Sequence, residues 1–110
     1  MERKIIYSEE TKELLDELGN LLFEKGYFSF PEDAKVYVGK LTRYAEQYIG
    51  ILPEKDAPVY FDRYGSNLKY ITYRANKTTC WYIFYQQLGN VFLVRHITNN
   101  HVAAQYFVFT

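Results

Sequence analysis

The last 48 residues carry Arg63, Lys69, Arg74, Lys77 and Arg95, two histidines, His96 and His101, and no acidic side chain. Residues 1–62 hold all 13 acids and 8 of the 13 basic residues, so a chain of zero net charge divides into halves of −5 and +5. Asymmetry of this kind points to an anionic partner for the basic half. The structural alternative is that acids collect in helices while β-strands lack them. Tyr70, Tyr73, Trp81, Tyr82, Phe84 and Tyr85 are interleaved with those cations. Aromatic rings stack on bases and cations meet phosphates, so the pattern suits nucleic acid. Equally, about half of these rings would lie on one strand face and form core, and the rest would make cross-strand pairs.

Other chemistry finds little support. The chain has no glycine-rich phosphate loop and no HExxH motif. His96 and His101 stand five apart without a nearby carboxylate or Cys, which reads as surface or turn histidine rather than metal ligand. Paired carboxylates for proton transfer would have to come from the acidic half. Cys80 is the sole cysteine, so an internal disulfide and a four-Cys zinc site are excluded; beside Trp81 it reads as a reduced strand residue. No cofactor is implied. No long apolar stretch follows Arg3 and Lys4, and no run approaches ~18 apolar residues, so a cytoplasmic location and no membrane partner are expected. At 110 residues and 48% apolar composition, a single domain spanning 1–110 is expected.

The elements that must position these residues follow from periodicity. Residues 4–7 read as a short strand. Ser8 caps a helix, with Glu9 and Glu10 in its first turn, Leu14, Leu15, Leu18, Leu21 and Leu22 as its stripe, and Gly26 as its stop. Ser29-Phe30-Pro31-Glu32 reads as a capping box opening a second helix. Its buried face is Ala34, Val38, Leu41, Ala45, Tyr48 and Ile49, and Gly50 ends it. The short link predicts an antiparallel helical hairpin. Residues 51–67, punctuated by Pro53, Pro58, Gly65 and Asn67, read as a loop or irregular extended segment. Residues 68–74, 79–87 and 91–98 read as three strands joined by turns at 75–78 and 88–90, with 105–109 a short additional edge piece. The expected class is α+β, an antiparallel sheet of three to four strands with helices on one face and the other face free to bind.

This order resembles the RelE/ParE superfamily of bacterial type II toxin–antitoxin and plasmid-stabilisation systems. Thr79-Cys80-Trp81-Tyr82-Ile83-Phe84-Tyr85 is similar to the family's second meander strand. The run Phe92 to His101, FLVRHITNNH, is similar to its last long strand and the polar turn after it. The RelE branch cleaves messenger RNA in the ribosomal A site without a metal. Cations there stabilise charge on phosphorus while other groups move protons.

The resemblance assigns residues unevenly. Tyr106 matches the C-terminal tyrosine of the cleaving branch. Tyr82 stands where a second-strand arginine is expected, and Asn100 where an arginine or histidine often sits. Lys69 and Arg74 flank the basic positions of the first meander strand, and His101 lies one residue beyond the terminal-turn position. An uncharged Tyr82 does not replace a guanidinium. The ParE branch keeps the scaffold, lacks the cleavage residues and is associated with poisoning DNA gyrase. A binding toxin neutralised by a cognate antitoxin is therefore expected. The alternatives are a ribosome-dependent endoribonuclease built from Arg74, Lys77, Arg95, His96, His101 and Tyr106, and a relative without toxicity. Strand alternation predicts that Arg95 and His96 face opposite sides, so that only one joins any site.

Overall fold

The computed structural model describes residues 2–103 and Tyr106. Strand β1 (Lys4–Tyr7) turns one face, Ile5 and Tyr7, toward the core and leaves Ile6 exposed. Ser8 then caps α1 (Glu9–Glu24) by accepting the Thr11 N–H at 3.1 Å. Thr11 is buried, and its hydroxyl donates to the Val94 carbonyl at 3.0 Å, which fastens the first turn of the helix to the sheet. The expected stop at Gly26 holds, with φ at +80°.

Helix α2 (Pro31–Tyr48) begins one residue later than the capping box predicts. Phe30 is the N-cap, in extended conformation and without a side-chain cap bond. Pro31 is the reason: it fits the first helical position, where no N–H is needed, and it forces the preceding residue out of helical space. Leu41, Ala45 and the capping Ile49 are buried against the sheet, and Ala34 is buried as well. At Gly50, φ is +85° and an added Cβ would lie 2.7 Å from the Phe92 ring, so the turn out of α2 requires glycine on both counts.

Among the described residues the sheet has five strands in the order β1-β5-β4-β3-β2. The others are β2 (Lys55–Asp56), β3 (Lys69–Arg74), β4 (Cys80–Leu88) and β5 (Val91–Asn99). It is mixed rather than antiparallel, because β1 lies parallel to β5 with Ile5 opposite Phe92. The stretch 51–67, expected as a loop or irregular extended segment, supplies the short strand β2 and a 3-10 helix, Val59–Tyr64. A four-residue helix, α3 (Asn100–Ala103), follows β5. The expected edge piece at 105–109 lies outside the described residues, apart from Tyr106.

Each sheet face carries its own apolar cluster. On the helix side Leu41, Ile71, Trp81, Ile83, Tyr85 and Val94 pack together. On the other side Phe61, Leu68, Tyr70, Phe84 and Ala103 do so, flanked by Tyr60, Tyr64, Tyr82 and Tyr106. The expectation of a bare second face is thus corrected. The strands bear aromatic rings on both faces, and the 3-10 helix with Tyr106 covers the second set.

Candidate functional site

The second face is organised by a β-bulge. Phe84 pairs with His96 while Tyr85 pairs with Val94, so Arg95 is an extra residue in β5. Val94 and Ile97 both reach the helix-side core, three residues apart. The strict alternation predicted for this strand is broken there, and Arg95 and His96 share the second face instead of opposing one another. Both meet Tyr64. Arg95 Nε donates to the Tyr64 carbonyl at 2.9 Å, and the His96 ring stacks on the Tyr64 ring at 3.7 Å between centroids.

His96 serves as a neutral ring. Burial pushes its pKa down to about 4, so it carries no charge near neutrality and cannot act there as the predicted cation. Arg95 is part of a clamp. Its bond to the Tyr64 carbonyl and the 2.9 Å bond from Gln86 Nε2 to the Ser66 carbonyl hold the chain on either side of Gly65. Beside them Arg63 lies over the Tyr60 ring at 3.7 Å, with its Nε donating to the Tyr60 carbonyl. Tyr60 in turn stacks on Tyr106 at 3.4 Å. The Tyr106 ring, predicted as a catalytic group, is half-buried against Tyr60 and Phe61.

A second group gathers at the other end of the same face, around the β3–β4 turn. Arg74 is exposed, and its Nη1 approaches the Lys77 carbonyl at 3.4 Å. Asn100 accepts the Cys80 N–H at 2.9 Å and donates to the Thr78 carbonyl at 3.0 Å. His101 Nε2 lies 3.0 Å from the Thr79 hydroxyl. Asn100 and His101 therefore brace the turn rather than present free binding groups. Tyr82 packs beside Tyr70, and its hydroxyl pKa is raised, chiefly by burial. The row of Arg74 and Cys80 is four residues along β4 from the row of Phe84 and His96, about 14 Å.

Lys69 belongs to neither group. It shares the helix-side face with Ile71 and pairs with Asp56, whose hydrogen bond raises the lysine pKa. Nearby, the Tyr85 hydroxyl donates to Glu54 at 2.9 Å. The predicted residues are thus divided into a clamp at Arg95 and His96, a turn cluster at Arg74, Lys77, Asn100 and His101, and a lone pair at Lys69. Tyr60, Tyr64 and Gln86 were not singled out from sequence, and Arg63 was counted among the cations of the basic half without a site role. The density of aromatics in Val59-Tyr60-Phe61-Asp62-Arg63-Tyr64 was the available signal.

Two clefts flank these features. One of about 260 Å³ lies between α1 and the end of β5, walled by Leu14, Leu18, Leu21, Ile97 and Val102. A wider groove of about 590 Å³ runs between α1 and α2 past Gly19 and Gly39. Among the described residues no group of three His, Cys, Asp or Glu side chains is placed to hold a metal ion, and no helix is long and apolar enough to cross a membrane. The second face offers cations and rings, but β3, β4, β5 and the turns between them bear no carboxylate, the covering 3-10 helix carries one at Asp62, and the histidines are occupied with Tyr64 and Thr79. That chemistry suits contact with an anionic surface better than proton transfer. Comparison with protein-family models, with curated proteins and with solved structures returns no match to this chain.

Proposed function

We propose that this chain is a RelE/ParE-type toxin that acts by binding a macromolecular target and is neutralised by a cognate antitoxin. The observation that carries the binding reading is the state of His96, which is half-buried, neutral and flat against Tyr64. With His101 engaged by Thr79 and Tyr82 in place of a guanidinium, the histidines and the second-strand position expected for cleavage are spent on structure, while Arg74 and Lys77 stay exposed. The order of strand, helical hairpin and meander, with helices on one sheet face, agrees with the family resemblance. The cleft between α1 and β5 supplies a place for an amphipathic antitoxin segment.

Expressing the gene alone in a bacterium, and with its genomic neighbour, tests the toxin reading: growth arrest relieved by the neighbour is expected. Incubating purified protein with programmed ribosomes tests the mode of action. No A-site cleavage is expected, and cleavage abolished by Tyr106→Phe would reject the binding reading. A ribosome-dependent endoribonuclease is the second reading. The bulge favours it by bringing Arg95 and His96 to the face that holds Arg74 and Tyr106.

A further inference from the structure

Where α1 runs into α2, the chain sets aromatic rings in water. Tyr27 is 71% exposed, Phe30 63% and Phe23 39%. Phe28, between them, behaves differently: it turns onto the Tyr37 ring, with centroids 5.5 Å apart. The turn itself needs none of the exposed rings. Gly26, at φ +80°, reverses the chain, and Phe30 holds the N-cap position of α2 without giving a cap bond, where serine would give one. Three large exposed rings within residues 23–30, at one end of the hairpin, are more than the scattered single exposures of an ordinary surface.

This tip continues into the wider groove between α1 and α2, because Phe23 and Pro31 belong to the groove wall. Leu15, Gly19, Val38 and Gly39 extend that wall along both helices. Gly19 keeps it open: a Cβ there would make only an ordinary contact, 3.9 Å from Val38 Cγ2. Tyr106 lies across the sheet from the groove, against Tyr60 and Phe61. Tip and groove carry opposite charge. Residues 23–33 hold Glu24, Lys25, Glu32 and Asp33, for −2. Lys12, Asp16 and Lys35 line the groove, for +1, and Lys12 also meets Glu9 at 3.2 Å.

We infer that the chain pairs with a second copy of itself through the helical hairpin, with Tyr27 and Phe30 of each copy seated in the groove of the other beside Gly19 and Gly39. Tip and groove adjoin on one hairpin, so a two-fold axis makes both contacts at once and closes the pair. The acidic tip of each copy then faces the lysines of its mate. A foreign helix laid in the groove would leave Tyr27 and Phe30 in water, whereas a second copy covers both features. Aromatic side chains bury roughly 150–250 Å² each. Two largely exposed rings per copy, with an equal area of the walls they cover, therefore remove roughly 1,000 Å² from water, the lower bound for a specific interface. The dimer is accordingly weak, with a dissociation constant on the order of 10–100 μM. The inference does not rest on the toxin reading, since neither the tip nor the groove holds a residue assigned to it.

Sedimentation equilibrium of the full chain from about 1 μM to about 1 mM is the test, a range that brackets the expected constant. The mass is expected to rise from one chain to two and stop there. Two variants separate the halves of the contact. Tyr27→Ser with Phe30→Ser removes the tip and gives α2 a better N-cap. Gly19→Leu fills the groove at a helical position that tolerates a side chain. Each variant alone is expected to self-associate at least roughly tenfold more weakly. An equimolar mixture of the two is expected to associate more strongly than either, because the mixed pair keeps one intact tip in one open groove while each variant's own pair keeps none. Amide shifts of the parent chain need no variant: those at Gly19, Phe23, Tyr27 and Gly39 are expected to move with concentration. A chain that stays monomeric to 1 mM would overturn the inference, and would leave the groove to a foreign partner. Growth beyond two chains, a dimer indifferent to both variants, a mixture no stronger than its components, or shifts confined to other residues would each overturn it too.

Discussion

His96 lies flat on Tyr64, with ring centroids 3.7 Å apart and planes 5° from parallel. The stack ties the end of the 3-10 helix to β5 and half-buries the imidazole, and that burial pushes its pKa from the usual 6.5 down to about 4. The sign of the consequence is definite. Between those two values the unfolded chain binds a proton that the folded chain does not, so stability is complete above pH 6.5 and falls as pH drops toward 4. With partial solvent screening the loss is about 1–2 kcal/mol. Urea midpoints measured from pH 7 to pH 4 are expected to fall less steeply for His96→Phe than for the parent. Equal slopes would mean that the imidazole is not sequestered.

Gly65 sits between the Arg95 and Gln86 clamps at φ +154°, and an added Cβ would lie 3.0 Å from Gln86 Nε2 and 3.4 Å from Arg95 Nε. Gly65→Ala therefore meets both an unfavourable backbone and the clamp, and is expected to destabilise by about 2–3 kcal/mol. Gly89→Ala is the comparison, with positive φ but nothing within 4 Å of the new atom, and should cost about 1 kcal/mol. Thermal unfolding of the two variants side by side checks the difference. Similar losses would show that the clamp yields freely.

Where local rules act alone, the sequence was readable. Ser8, Gly26 and Gly50 placed the helix ends, and even at α2 the error was one residue, because the proline rule outranked the capping box at Ser29. The three meander strands came from composition and turn chemistry. Beyond that range the signals fail for a physical reason. Nothing local marks the extra residue at Arg95, which is defined only by the register of β4 against β5. The segment 51–67 looked like loop because its prolines and glycine announce turns, while the partners of Tyr60 and Tyr64 are Tyr106 and His96, far along the chain. Nor does residue type alone show that Asn100 spends both ends of its amide on the β3–β4 turn.

That amide carries a prediction of its own. Asn100→Ala leaves the Cys80 N–H and the Thr78 carbonyl without their partner and loosens the junction between α3 and the β3–β4 turn. A cost of about 1–2 kcal/mol is expected, because the Cys80 N–H is held in a part-buried site. Faster amide exchange at Cys80, measured by NMR, checks it locally. If Asn100 is instead a target-binding group, the variant will bind less tightly at unchanged stability.

Arg74 and Lys77 are the predicted cations left most open to a partner, both exposed at the turn that Asn100 braces. If the basic half meets a polyanion, these two supply phosphate contacts, and the affinity must fall as salt rises. Binding of a single-stranded RNA oligomer, titrated over a series of salt concentrations, gives the number of contacts. Each one lost lowers the magnitude of the log–log slope by about 0.7. The double substitution Arg74→Ala and Lys77→Ala is expected to lower it by roughly 1.4. Lys69→Ala is the control, because Lys69 lies on the helix-side face and is paired with Asp56, so the slope should stay put. A Lys69 effect as large as that at Arg74 and Lys77 would mean diffuse attraction to the basic half rather than contact at the second face.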